Sequence, residues 1–540
     1  MRSGLFFAPL WFRLSVATLL TLAAFTAPAQ TPAPPAAAPT WPLVGPAFSA
    51  PPEDLRKAAA AVPAEKYMPA TILYERDAYT LQPDGRITLR HSMVYRIETE
   101  AAVRGWGETS IRWEAWYQNQ PEIHARVFTP DGKVSELDQK TITDGPASAQ
   151  DEGTYSDGRI RKAPLPGLTV GAIVEEEAYV EDKAPFFSGG GIYRRFFNRS
   201  VPITRSQLLI DVPKGLHFDY RVKLLPQLAV SSTEENGIRH LVFDQAAQPA
   251  YVNNDVNLAT HIRLRPLVEF STGESWAAVA RTYSQLAEPQ ILPASVQFML
   301  PANLVSQGPG RLATIQAIVT RLHADVRYTG IEFGEAALQP QTAAEVLKRH
   351  YGDCKDKAAF LVALLRAAGI EAHMVLLNPG YGPDVTPELP GMNQFDHAIT
   401  YVPADKKGGT ELWIDATAEY AQVGTLPAAD RDRLALIVAD NTTSLTRTPV
   451  GTPEDDAITE TRDVRMAPNG PAEFTESSDT RGDIDETYRS SYGGQETKES
   501  RNELDRYIKS VYLAKTLASI VCPAIILANR RMDRLTGRDR

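Results

Sequence analysis

Two turns of one type constrain this chain most. Gln82-Pro83-Asp84-Gly85 separates alternating runs at 73–81 and 86–98, and Thr129-Pro130-Asp131-Gly132 follows a third run at 123–128. Proline presets the first corner angle and glycine accepts a left-handed one, so the chain reverses and the flanking period-two runs pair as strands. Strand signals punctuated by turns continue from near Lys66 to about Phe270, which predicts a mainly β, sandwich-like domain over 63–270. The pattern then changes. Leu267-Val268-Glu269-Phe270 reads as a last strand, Ser271-Thr272-Gly273-Glu274-Ser275-Trp276 as the approach to a helix, and helical periodicity follows. With 540 residues, 43% hydrophobic and 23% charged, the chain has room for several domains of roughly 150 residues each.

The flanks read differently. Residues 1–29 have the form of a secretory signal peptide: Arg2 and Arg13, an apolar stretch at 14–25, and Ala27-Pro28-Ala29 as a small-residue cleavage site before Gln30. The apolar run is short for a membrane span, and no cysteine follows the cleavage site to carry a lipid. The expectation is a periplasmic or secreted protein without stable membrane insertion after cleavage. Residues 30–62 are Pro/Ala-rich and predict an extended linker, with folding starting near Lys66. Beyond Leu436-Ile437-Val438 the chain turns polar and Thr-rich, and from Ala457 it is strand-like, so 446–540 reads as a partial β-rich region. From about Tyr512 an Ala/Ile-rich stretch with Cys522-Pro523 and an Arg-dense close is the pattern expected of a truncated or frameshifted reading frame.

The chemistry concentrates downstream of the β region. Gly352-Asp353-Cys354-Lys355-Asp356-Lys357 places one of only two cysteines at the start of an Ala/Leu-rich segment, with Phe360, Leu361, Leu364, Leu365 and Ala368 at helical spacing and Gly369 as the stop. A sulfur in the first turn of a helix faces unpaired N–H groups and the positive end of the dipole, which favours thiolate. A thiolate nucleophile needs a proton donor for the leaving group and a group to orient that donor. Phe395-Asp396-His397-Ala398-Ile399-Thr400-Tyr401-Val402 puts a histidine at the mouth of an apolar strand, and Leu412-Trp413-Ile414-Asp415-Ala416-Thr417 ends another on an aspartate. Adjacent strands would bring His397 and Asp415 together, with one ring nitrogen toward the sulfur and the other toward the carboxylate. Each residue also has a plain structural alternative: Cys354 as a small buried apolar residue, His397 as a polar residue satisfied at a strand end, Asp415 as the cap of its own turn.

These segments resemble the transglutaminase-like core of the papain-like cysteine superfamily. Val326-Arg327-Tyr328, Gln339-Pro340-Gln341-Thr342-Ala343-Ala344-Glu345-Val346-Leu347, the Gly-Asp-Cys-Lys-Asp-Lys run, Asp396-His397-Ala398 and Trp413-Ile414-Asp415-Ala416-Thr417 stand in the family's order between about Leu312 and Leu436. The resemblance implies an α+β papain-like core, taken as 271–445, with Cys354 as nucleophile, His397 as acid and base, and Asp415 as the orienting carboxylate. Asp396 stands where Asn is as familiar, and leaves these roles unchanged. Upstream, Tyr155-Ser156-Asp157-Gly158-Arg159, Pro164-Leu165-Pro166-Gly167 and Gly171-Ala172-Ile173-Val174-Glu175 resemble a domain of unknown function (DUF3857-type) that commonly precedes this core in exported bacterial proteins.

Around the motif, Lys355, Asp356 and Lys357 read as a solvated first turn, His373 as a histidine at the edge of the core, and Arg327, Tyr328 and Trp413 as packing or cleft-shaping residues. A helix at 311–323 carries an apolar stripe through Leu312, Ile315, Ile318, Val319 and Leu322. The Pro/Gly-rich loop 378–394 is expected to form a cleft wall or lid. The backbone N–H of Cys354 is the natural oxyanion donor. Two cysteines and the histidine spacings offer no zinc set, and no phosphate or calcium loop is present, so no cofactor or metal is expected. A formal charge of −10 argues against nucleic acid as a partner, since phosphate binding needs basic patches. Peptides or proteins, cell-envelope proteins among them, are the expected partners. The leading function class is thiol-dependent acyl transfer or hydrolysis at peptide or glutamine amides. The alternatives are a catalytically silent cell-envelope binding or assembly module, and a polysaccharide binder using Trp106, Trp113 and Trp116.

Overall fold

The computed structural model describes residues 47–65, 67–147, 154–252, 265–300, 310–380, 382–405, 409–470, 472–492, 498–513, 516–521 and 533–538. The signal-peptide reading of 1–29, the linker up to 46, and Cys522 lie outside the described residues.

The first region is built on an eight-stranded sheet in the order Ala229–Glu235, Ile238–Gln245, Ser206–Pro213, Ala70–Leu81, Ile87–Ile97, Ile173–Glu181, Glu122–Phe128 and Val134–Glu136. Both Pro-Asp-Gly segments form the expected tight turns, with Gly85 at φ +88° and Gly132 at φ +95°. Ala70–Leu81 pairs antiparallel with Ile87–Ile97 but parallel with Ser206–Pro213. Two three-stranded sheets complete the sandwich-like arrangement. Glu108–Glu114, Gly158–Pro164 and Thr143–Pro146 enclose Ile72, Tyr95, Ile123 and Val127, while Ile192–Phe196, Leu267–Ser271 and Asp219–Lys223 enclose Leu208, Ile210 and Phe243. Trp113 is buried, Trp106 packs on Tyr95 with ring centroids 5.1 Å apart, and Trp116 packs on Phe186 at 5.8 Å. Trp113 therefore belongs to the core, while Trp106 and Trp116 are half-buried against these neighbours.

The linker expectation for 30–62 needs correction at its end. Pro52–Ala60 is a helix that buries Leu55 and Ala59 against Leu73, Tyr74, Val94 and Phe128. Proline in the first turn followed by Glu53 and Asp54 is a helix-start signal, and the Pro/Ala composition had hidden it. Folding thus begins before Lys66.

The core is organised around the Cys354–Ala367 helix, whose residues Cys354 through Leu365 are all buried. A helix covered on every side is an internal one. Trp276–Ala287, Arg311–Asp325 and Ala343–Arg349 surround it. An antiparallel five-stranded sheet, in the order Leu412–Ile414, His397–Val402, His373–Leu377, Leu434–Ile437 and Thr446–Arg447, covers another face. On the Arg311–Asp325 helix, Ile315, Ile318, Val319 and Leu322 face the core as the stripe predicted, but Leu312, one turn before, is 57% exposed.

The loop 378–394 is anchored rather than a free lid. Asn393 exchanges hydrogen bonds with Ile192 (N to Oδ1 2.7 Å, Nδ2 to O 2.6 Å), Met392 N donates to Gly190 O at 3.1 Å, and Arg194 donates to Gln394 Oε1 at 3.0 Å. Thr386 donates to Glu269, a fully buried carboxylate that also meets Arg194 at 2.8 Å and Lys223 at 2.9 Å. The β region thereby holds the segment that leads directly into His397. It also reaches the other side of the core: Thr154–Ser156 pairs in parallel with Gly330–Glu332, and Gly334 N donates to Asp157 Oδ2 at 2.5 Å.

Beyond the core, Ile458–Arg465, Glu473–Thr480, Asp533–Arg538 and Thr516–Val521 form a four-stranded sheet in that order. Two helices not foreseen in the partial β reading, Asp483–Tyr492 and Lys498–Val511, lie with it. The second buries Leu504 and Ile508 in a cluster with Phe474.

Candidate active site

The antiparallel register brings His397 and Asp415 together. Thr400 lies opposite Ile414 and Val402 opposite Leu412, so the start of the His397–Val402 strand and the end of Leu412–Ile414 fall at the same end of the sheet. Asp415 leaves the ladder there, and its Oδ2 meets His397 Nε2 at 3.1 Å. Its other oxygen accepts from the backbone N–H of Thr417 at 2.7 Å and from the Thr417 hydroxyl at 2.8 Å. Asp415 therefore caps its own turn and meets the histidine, so the two readings of this residue hold together.

Cys354 opens the central helix at the same end of the sheet, 8% exposed, with its sulfur close enough to the imidazole to act on its protonation. With Nε2 committed to Asp415, Nδ1 is the nitrogen left for sulfur. Burial works against a charged imidazole, but hydrogen bonds to Asp415 and Cys354 and their negative charges outweigh it, holding His397 well above the ordinary histidine range. Burial likewise pushes Asp415 up, and its bonds to His397 and Thr417 bring it below the usual carboxylate range. The arrangement is an imidazole held between a sulfur and a carboxylate, whose sulfur-side nitrogen can exchange a proton with Cys354 while Asp415 fixes the ring from the other side.

The polar residues flanking Cys354 are not a solvated turn. Lys355, Asp356 and Lys357 are all buried, 6%, 4% and 2% exposed, because the helix starts inside the protein. Each then requires a partner. Asp353 caps the helix, accepting from Asp356 N at 3.0 Å, and its second oxygen meets Lys355 Nζ at 2.6 Å. Asp356 accepts from Gln341 N at 2.7 Å and lies 3.6 Å from Arg349. Lys357 donates to Val326 O at 3.0 Å, and burial lowers its pKa to about 8. The Gln341 and Val326 segments are thus tied to the nucleophile helix by its charged residues. A methyl added at Gly352 would stand 2.7 Å from Asp356 Cβ and 3.3 Å from Val346. Gly352→Ala is therefore expected to shift the helix start, costing about 1–3 kcal/mol of stability and slowing chemistry at Cys354 by about 100-fold, measurable as thermal midpoint and alkylation rate.

The surrounding residues fall mostly as expected. Tyr328 is 47% exposed and lies close enough for the Cys354 charge to act on its phenol. Trp413 is buried against Tyr401 with ring centroids 4.8 Å apart. His373 pairs with Glu371 at 3.1 Å, away from the site. Asp396 is exposed and its N–H donates to Leu377 O at 3.2 Å. One residue that sequence reasoning missed is Asp430, 2% exposed and beside Asp415. It lies in Pro427-Ala428-Ala429-Asp430-Arg431-Asp432, a stretch with the composition of an ordinary loop.

Comparison with known proteins finds two domain families along the chain. Residues 83–252 match the model of a domain of unknown function, DUF3857, and residues 299–417 match the transglutaminase-like superfamily. No curated protein matches the chain. Among solved structures, a candidate protease from Parabacteroides distasonis is similar over 87% of this chain and 92% of its own, at 14% identity and a TM-score of 0.55. A candidate cysteine protease from Cytophaga hutchinsonii matches 48% of this chain and 81% of its own, at 13% identity and a TM-score of 0.21.

Proposed function

We propose, for a chain that carries a DUF3857 domain followed by a transglutaminase-like core, a thiol-dependent acyl transferase or amide hydrolase acting on peptide or protein amides outside the cytoplasm. The coarse class, a papain-like cysteine hydrolase or transferase, follows from the superfamily match. The observation that carries the finer reading is the imidazole of His397 held between the Cys354 sulfur and Asp415. The signal-peptide pattern of residues 1–29 supports export.

In this reading the Cys354 thiolate attacks the carbonyl carbon of a peptide or glutamine amide and the C–S bond forms. As the tetrahedral intermediate collapses, the C–N bond breaks and the His397 imidazolium gives its proton to the departing amine or ammonia. A thioester remains. A water or a primary amine then attacks it, His397 takes the proton, and the C–S bond breaks to restore the thiolate. The Cys354 N–H, unpaired in the first helical turn, is the natural donor to the oxyanion. Asp415 keeps His397 in the tautomer that presents Nδ1 to sulfur.

The direct test is acid-quenched intact-mass analysis of the protein mixed with glutamine-containing peptides, with and without a small primary amine. A covalent acyl adduct that maps to Cys354 is expected, and the product mass identifies the acceptor. In parallel, iodoacetamide should alkylate Cys354 at pH 6 and do so far more slowly in His397→Ala. Equal alkylation of the two proteins, with no adduct from any peptide, would leave a binding module as the better account.

A further inference from the structure

A second carboxyl stands behind the first. Asp430 ends the short turn Ala428–Asp430, and one nitrogen of His397, one oxygen of Asp415 and one oxygen of Asp430 lie within 4.8 Å of one another. Oδ2 of Asp430 is buried and takes no hydrogen bond from an N–H or O–H donor among the described residues, and the carboxyl faces Asp415. Two buried carboxyls this close favour sharing one proton over double ionisation. Neither neighbouring arginine is among the groups that act on Asp430: Arg431 meets Asp456 at 3.2 Å and Asp483 at 3.7 Å, and Arg433 donates to the carbonyls of Asn378, Gly380 and Gly382 at 2.6 to 3.0 Å and lies 3.7 Å from Asp384. Asp415 keeps its charge, because His397 and both donors of Thr417 stabilise it.

We propose that Asp430 is a positioning residue whose protonated carboxyl donates to Asp415 and holds the carboxylate that orients His397. The inference rests on the catalytic reading above and deepens it. The groups facing Asp430 are Asp415, His397 and Asp483, and Glu486, from the helix carrying Asp483, lies near Asp415 and is itself pushed up to about 7, by burial first and then by Asp483. Burial first, and then the charge of Asp415, raise Asp430 to about 7, so the shared proton is held in acid and lost as pH rises through neutrality. The C-terminal region fixes the turn that carries the residue. Ala428 N donates to both oxygens of Asp483 at 2.7 and 2.9 Å, and the Thr448 hydroxyl donates to Asp430 O at 2.6 Å. That gives the region beyond the core a part in the geometry of the site.

The test follows the His397 ring N–H by NMR in histidine-labelled full-length protein from about pH 5.5 to 8.5, in wild type, Asp430→Asn and Asp430→Ala. Wild type should show an inflection near neutrality that vanishes in Asp430→Asn, whose amide keeps a donor but does not titrate. Alkylation of Cys354 should slow by about 10- to 100-fold in Asp430→Ala, and Asp430→Asn should recover most of that rate. An inflection that persists in Asp430→Asn, or wild-type alkylation in Asp430→Ala, overturns the proposal, and the asparagine variant decides it if the alanine variant does not fold. A wild-type thiol no faster than that of His397→Ala would instead defeat the catalytic reading, while the inflection would still report on Asp430.

Discussion

Cys354→Ala is expected to abolish turnover, a loss of about 10⁴-fold or more, since it removes the nucleophile and Cys354 is the only cysteine among the described residues. The fold should survive. The side chain is small, and the helix start is held by Asp353, Lys355 and Asp356 rather than by sulfur, so circular dichroism and thermal midpoint should stay near wild type. His397→Ala is expected to lose about 10³- to 10⁴-fold, and Asp415→Ala to keep a small residual rate, because orientation is lost while nucleophile and acid remain. The pH profile carries a signed prediction. His397 is held well above the usual histidine range, so the alkaline limb, where the imidazolium gives up its proton, should lie well above about pH 6.5. Removing Asp415 takes away a hydrogen bond and a negative charge that raise it, so that limb should move to lower pH. Full activity in Cys354→Ala, or an unmoved limb in Asp415→Ala, would contradict the assignment.

Arg195→Met is expected to destabilise the β region by about 3–5 kcal/mol at neutral pH, the usual cost of leaving a buried charge without its partner. Arg195 is 5% exposed, meets Glu75 Oε2 at 2.8 Å and contacts Asp77 through its Nε. Glu75 is fully buried and also contacts Arg199, while Asp77 meets His91 Nδ1 at 2.5 Å. Burial alone would raise both carboxyls, yet Arg195 and its neighbours bring both below their ordinary values. A depressed folded pKa contributes stability above the unfolded value, near 4, that is lost as pH falls through the folded one. His91 has the opposite sign: raised in the fold by Asp77 against burial, it stabilises below about pH 6.5 and loses that contribution as pH rises through its folded value. In Arg195→Met the two carboxyls lose their main cation, so the deficit should be largest at pH 7 and shrink on acidification toward pH 5. Denaturant melts of both proteins at the two pH values check this. An equal deficit at both would mean that lost packing, rather than lost charge, is responsible.

Much of this molecule was legible in local sequence. Pro-Asp-Gly turns and alternating runs located strands, because a turn type and a two-residue period are properties of a few adjacent residues. The helix of Cys354 was legible for the same reason, through its apolar spacing and the Gly369 stop. The helix Pro52–Ala60 was missed because Pro and Ala also compose linkers, and only burial of Leu55 and Ala59 separates the two cases. Lys355, Asp356 and Lys357 were misread because charge in a first turn ordinarily means water. Here the whole helix is enclosed: Asp356 and Lys357 tie distant segments to the nucleophile helix, and Lys355 pairs with the capping Asp353.

The sequence by itself determined the order of the elements and placed Cys354, His397 and Asp415 at a helix start, a strand start and a strand end. Tertiary structure decided which ends meet. The antiparallel register set His397 beside Asp415, the β region clamped the loop leading into His397, and packing of the turn at Ala428–Asp430 set a second carboxyl against the first. The physical reason is range. Turn chemistry and periodicity act between near neighbours in the chain, whereas a shared proton or a buried ion pair depends on which surfaces exclude water together, and that is settled only when the sheets and helices close on one another.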